Sequence, residues 1–190
     1  MTMVIGLIVL AVVAVVALWI IGVYNSLVTM KKRVENSWSQ IDVQLKRRHD
    51  LIPNLVNSVK GYMKFEKETL ENVIKARNQA VSAQGMDDKI KAERELGGVL
   101  GRLFAVMEAY PDLKASKNVT QLMEELTATE NKISYSRQFY NDSVTKFNTK
   151  IEVFPNNMIA GMFSSKFQPF PLFEIVESSE REVPKVDINM

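Results

Sequence analysis

The chain has 190 residues, with 24 Lys and Arg against 22 Asp and Glu, one His and no Cys. Without cysteine there is no disulfide framework, thiolate metal site or thiol nucleophile, and one His is a poor start for a zinc or iron centre. The near-neutral balance gives no electrostatic footprint for nucleic acid, and the length fits one ordinary domain.

Hydropathy is unevenly distributed. Residues 1–30 carry no charged side chain, and Val4 to Val23 is a run of Val, Ile, Leu and Ala broken only by Gly6, Trp19 and Gly22. Such a run, at a rise of about 1.5 Å per residue, spans roughly 30 Å, the hydrocarbon thickness of a bilayer. A helix satisfies its own backbone there, so residues 1–23 are predicted to be a transmembrane segment. A cleaved signal peptide is the alternative, but a basic n-region and an Ala-x-Ala site are missing. Trp19 and Tyr24 stand where amphipathic rings favour the headgroup level. Lys31, Lys32 and Arg33 follow, then Lys46, Arg47 and Arg48. The positive-inside rule therefore puts the N-terminus outside and the C-terminal region in the cytoplasm, with a translocated domain as the alternative.

The fold class predicted for the chain is all-α, with the single membrane helix continuing into a long antiparallel helical bundle over residues 24–155. Leu27, Val34, Trp38, Ile41 and Leu45 recur at near-heptad spacing, an apolar seam carried from the bilayer into a stalk. Pro53 disfavours helix at Ile52, so the helix is expected either to end near Arg48 or to kink there, and the first boundary is set near residue 50. The bundle helices are expected at about 24–50, 51–83, 88–109 and 118–152. Gly97, Gly98 and Gly101 inside the third suggest a close helix crossing, since helical glycine costs about 1 kcal/mol relative to Ala. Residues 156–173 form a Phe-rich segment expected to pack on the bundle or, alternatively, the membrane. Residues 174–190 read as a flexible tail.

The common catalytic and nucleotide patterns are absent: no Gly-x-x-x-x-Gly-Lys, no His-Glu-x-x-His, no Gly-x-Ser-x-Gly. The Glu-x-x-His pairing of di-iron bundles fails, because Lys46 stands three residues before His49. No catalytic, cofactor-binding or metal-ligating residue is assigned. Arg102, Glu130 and Asp142 lie near apolar seams and read either as a buried ion pair fixing helix register or as a ligand group. Lys46, Arg47 and Arg48 read as a solvated helix end or a phosphate contact, and His49 as solvated or interfacial.

Several blocks together resemble the LemA family of bacterial membrane proteins. They are Tyr24-Asn25-x-Leu27-Val28, the run from Trp38 to Arg48, Asp50-Leu51-Ile52-Pro53-Asn54-Leu55-Val56, Lys60-Gly61-Tyr62, Gly101-Arg102-Leu103, Glu108-x-Tyr110-Pro111-x-Leu113-Lys114-Ala115, Thr129-Glu130-Asn131, Tyr140-Asn141-Asp142 and Phe154-Pro155. Phe65 departs from the pattern, where the family often has His. The resemblance implies an N-terminal membrane helix and a long helical bundle in the bacterial cytoplasmic membrane. It carries no assigned reaction and no catalytic residues, and some members are associated with building specialised membrane compartments.

The expected function is therefore a non-enzymatic, membrane-anchored scaffold that self-associates through Leu27, Val34, Trp38, Ile41 and Leu45, with the lipid bilayer and further copies of itself as partners. An adaptor that recruits a client protease or transporter at the membrane is the alternative. A ligand carrier built on Arg102, Glu130 and Asp142 is a third reading.

Overall fold

A computed structural model of the chain describes residues 1–173; the expected flexible tail, 174–190, lies outside the described residues. Every regular element among the described residues is a helix, without strands: α1 is Thr2–Val59, α2 Lys67–Ser82, α3 Met86–Met107, α4 Pro111–Ala115, α5 Lys117–Glu152 and α6 Asn156–Met162.

α1 is one uninterrupted helix of 58 residues, about 87 Å at the standard rise. Its first half is apolar and exposed, and a window of that half has a mean hydropathy of 3.3. Its second half turns a stripe inward: Leu27, Val34, Trp38, Ile41, Leu45, Arg48, Ile52, Leu55 and Val59 are all buried. The boundary expected near residue 50 is corrected, because Pro53 sits inside α1. Proline removes the bond that its own N–H would give the carbonyl of His49, but Arg77 Nε of α2 donates to that carbonyl at 3.1 Å. The break falls instead at residues 60–66, where Gly61 is a weak helix former and Met63 tucks back into the core.

α5 runs antiparallel to α1, as paired levels show: Trp38 meets Tyr140, Arg48 meets Glu130 and Arg47 meets Glu125. α2 returns along α1, and α3 reverses again, with Lys89 at the level of Asp42 and Glu93 at that of Arg48. The far end is thus a four-helix unit of α1, α2, α3 and α5 around Ile52, Leu55, Val73, Leu96, Leu103 and Leu126. Nearer the apolar span, α1 and α5 form a hairpin around Val34, Trp38, Ile41, Tyr140, Val144 and Phe147.

The Phe-rich segment completes the hairpin. α6 packs against α1 and α5 through Asn156, Ile159 and Ala160. The chain then climbs as an extended strap whose Phe167 and Phe173 are buried. Two asparagines of α5 bind it like paired backbone. Asn148 donates to the Phe170 carbonyl at 2.9 Å and accepts from its N–H at 3.0 Å; Asn141 does both for Phe173 at 2.9 Å. The spacing explains the fit, because seven helical residues rise about 10.5 Å and three extended residues span about 10 Å.

The close crossing expected of the helical glycines is corrected. A Cβ at Gly97, Gly98 or Gly101 would meet nothing within 4 Å, so these positions are open rather than pressed against a neighbour.

Candidate functional site

Two features stand out from the helical packing, a buried polar cluster inside the bundle and an apolar, lysine-edged groove at its far end. The internal one occupies the join between the two apolar clusters. Arg48 of α1 is 1% exposed and forms an ion pair with Glu93 of α3, itself 1% exposed. Arg48 also donates through Nη1 to Glu130 of α5 at 2.5 Å. His49 Nε2 lies 2.7 Å from the second oxygen of Glu93; an ionised carboxylate only accepts, so this nitrogen carries the proton. One guanidinium thus ties three helices at one level.

The electrostatics follow from burial and partners. For Glu93, burial alone raises the carboxyl pKa, but the His49 hydrogen bond and the charge of Arg48 outweigh it, and the net direction is below the usual value. Arg137 of α5 lies close by, with its guanidinium 4.9 Å from the Phe173 ring centre. Burial and the charge of Arg48 lower its pKa, against the pull of Glu130 and Glu93. The Nε atoms of Arg48 and Arg137 are buried without a hydrogen-bond partner among the described residues.

The two carboxylates are committed to Arg48 and His49, and no group of three or more His, Asp or Glu side chains able to hold a metal converges among the described residues. Chemically, the cluster can fix helix register, because leaving any one charge buried alone is costly.

The far-end feature is a groove of about 970 Å³ between α1 and α2. Pro53, Val56, Met63, Leu70 and Ile74 give it an apolar floor, and Lys60, Lys64, Lys67 and Lys75 stand along it with Glu71 as the one acidic lining residue. α1 extends 33 residues from Val23 to Val56, so the groove stands about 50 Å from the end of the apolar run.

The residues singled out from sequence fall differently. Leu27, Val34, Trp38, Ile41 and Leu45 do not form an outward seam. All are buried within this chain's own hairpin, Trp38 against Tyr140 at a ring separation of 5.3 Å. The heptad pattern had a partner helix, and that partner is α5 of the same chain. Glu130 does join the buried network, whereas Arg102 is exposed and lines a shallow α2–α3 groove with Asn72 and Glu95. Asp142 is exposed on α5. The structure does not bring Arg102, Glu130 and Asp142 together, and the buried cation is Arg48.

Arg48 and Glu93 were the residues that sequence reasoning missed as a pair, although a signal existed. Arg48 continues the seam at intervals of three and four from Leu45 to Ile52, and Glu93 stands in step between Ile90 and Leu96. The groove lysines gave no such signal, because a charged edge on an amphipathic helix is ordinarily a solvated one.

A family model described as the LemA family matches residues 37–188. Among curated proteins, the chain is 28% identical to Protein LemA of Metamycoplasma hominis over 89% of this chain and 74% of that protein. It is also 28% identical to Magnetosome protein MamQ 2 of Paramagnetospirillum magneticum over 80% of this chain and 65% of that protein. For Magnetosome protein MamQ of Magnetospirillum gryphiswaldense the identity is 25%, over 72% and 60% respectively. The match therefore spans less than two thirds of the magnetosome proteins' own length.

Proposed function

We propose, from the premise that the chain belongs to the LemA family, that it is a non-enzymatic, membrane-anchored helical scaffold that holds a docking groove at a fixed height above the bilayer. The observation that carries this reading is the continuity of α1: one helix supplies the membrane span, half of the hairpin and a wall of the groove. The names of the relatives, magnetosome proteins, favour a role in organising membrane or its proteins.

The groove's occupant is an amphipathic protein segment with acidic flanks. Its apolar face would cover Val56, Met63, Leu70 and Ile74, and four lysines against Glu71 supply the charge complement. This is the adaptor form of the scaffold, and the burial of the seam within the chain's own core favours it over assembly through Leu27 to Leu45. The host is the bacterial cytoplasmic membrane, with the N-terminus outside, on the strength of Lys31, Lys32 and Arg33 beyond the span.

A photo-crosslinking residue in place of Ile74, and in place of Lys132 on the outer face of α5 as a control, tests the reading in native membranes. Crosslinks from position 74 to an acidic amphipathic segment of one membrane protein, abolished by Lys64→Glu with Lys67→Glu, are expected. Crosslinks only between copies of this chain, or equal yields from positions 74 and 132, would overturn it.

A further inference from the structure

The α6 region has two faces, and the packing of α6 uses only one of them. Asn156, Ile159 and Ala160 are buried against the bundle. On the other side Phe154 is 78% exposed, Met158 61%, Met162 72% and Phe163 41%. Four large apolar side chains on one short stretch are costly in water and mark a surface with a partner.

The level of this surface identifies the partner. Tyr24 follows Val23, where the apolar run of α1 ends. Its ring makes edge contacts with Phe163 at 5.0 Å and Phe167 at 5.7 Å, and its hydroxyl accepts a hydrogen bond from Lys166 Nζ at 2.5 Å. Lys31 Nζ in turn donates to the Lys166 carbonyl at 2.9 Å. These contacts pin the apolar surface to the end of the span, which is the headgroup level of a bilayer. The charges nearby have the matching sign: Lys31, Lys32, Arg33 and Lys166 are offset by Glu35 and Glu152.

We propose that Phe154, Met158, Met162 and Phe163 form a second membrane contact, seated at the boundary of headgroups and acyl chains beside the span, with Lys166 and the basic residues after the span facing phosphates. The bundle then stands on the bilayer on two footings, a spanning helix and an apolar foot. Burial at an interface rewards such a combination of apolar side chains and a basic rim. The inference rests on the reading of Val4 to Val23 as a span, and the experiment separates the two.

The chain contains no cysteine, so single nitroxide labels can be placed by Val13→Cys, Met158→Cys, Met162→Cys and, on α2, Ser82→Cys. The full chain is reconstituted at one copy per nanodisc of zwitterionic and anionic phospholipid, and each label's accessibility to oxygen and to a water-soluble nickel chelate is measured. The expected result is a deep Val13 label, labels at 158 and 162 that favour oxygen at headgroup depth, and a Ser82 label that favours nickel. A deep Val13 label with positions 158 and 162 as aqueous as 82 would overturn the foot and leave the span standing. An aqueous Val13 label would overturn the span itself. Labels at 158 and 162 that are aqueous in single-copy discs, but shielded and dipolar-broadened in discs holding two copies, would assign the surface to a second copy and overturn the lipid assignment.

Discussion

The backbone carbonyl of His49 accepts a hydrogen bond from Arg77 Nε at 3.1 Å. Pro53, four residues further on, cannot supply the helical N–H that this carbonyl would otherwise take. Arg77 therefore repairs α1 and ties α2 to it in one contact. Arg77→Met should destabilise the full chain by about 1–2 kcal/mol, because a half-buried acceptor loses its donor. In a Pro53→Ala background the helix closes its own bond, and the same change should cost less than about half as much. Urea unfolding in detergent, followed by tryptophan fluorescence, measures both; equal costs in the two backgrounds would sink the account.

Arg48 makes a sharper case. Arg48→Met leaves Glu93 buried without its guanidinium partner and should cost about 3–5 kcal/mol, whereas Arg48→Met with Glu93→Leu should recover most of the loss. The unfolding midpoints of the single and double variants decide it. A double variant no more stable than the single one would mean that the pair contributes more than it costs to bury.

The pH dependence follows from Glu93. Its folded pKa is lowered, against burial, by the His49 hydrogen bond and by Arg48. A lowered carboxyl pKa gives stability that is fully present above the unfolded value near 4.5 and is lost as pH falls through the folded one. The unfolding midpoint should therefore fall as pH drops below 4.5, and Glu93→Gln should flatten that limb while lowering stability at neutral pH. An unchanged acid limb in the variant would count against Glu93 as its source.

The glycines of α3 offer an opposite sign. With nothing within 4 Å of an added Cβ at Gly98 or Gly101, each Gly→Ala should raise stability by about 0.5–1 kcal/mol through helix propensity and the unfolded chain. A loss of stability at either site would reveal a close neighbour.

Seam residues should behave as core. Ile41→Ala is expected to cost about 2–5 kcal/mol of monomer stability and to leave the oligomeric mass of the folded protein unchanged. Light scattering of the detergent-solubilised variant, set beside its unfolding curve, checks both halves.

Much of the helical pattern was open to reading in the sequence, because apolar side chains at three- and four-residue intervals can only meet on one side of a helix. The same pattern misled at Leu27 to Leu45, since a heptad stripe says that a helix faces it without saying whose. Pro53 misled for a different reason. Its penalty is local, and the remedy, Arg77, comes from another helix whose position the local sequence does not encode. The strap was half legible: Phe167 and Phe173 announced burial by composition, but the Asn141 and Asn148 ladder depends on a match between helical rise and extended rise that appears only when the two segments are laid together. Of the buried network, the sequence pointed to Glu130 and to the wrong arginine, because Arg48 sat disguised in the basic run Lys46-Arg47-Arg48.

The unbroken α1 also has a mechanical meaning. No hinge lies between the apolar run and the groove wall, and the α5 hairpin stiffens the stretch between them. A tilt of the membrane helix is then a lever stroke. With an arm of about 50 Å, a change of about 10° sweeps the groove sideways by roughly 9 Å. Tilt is also how a spanning helix answers a thinner bilayer, so a change in the thickness of the lipid beneath would appear as a sideways displacement of the far end of α1.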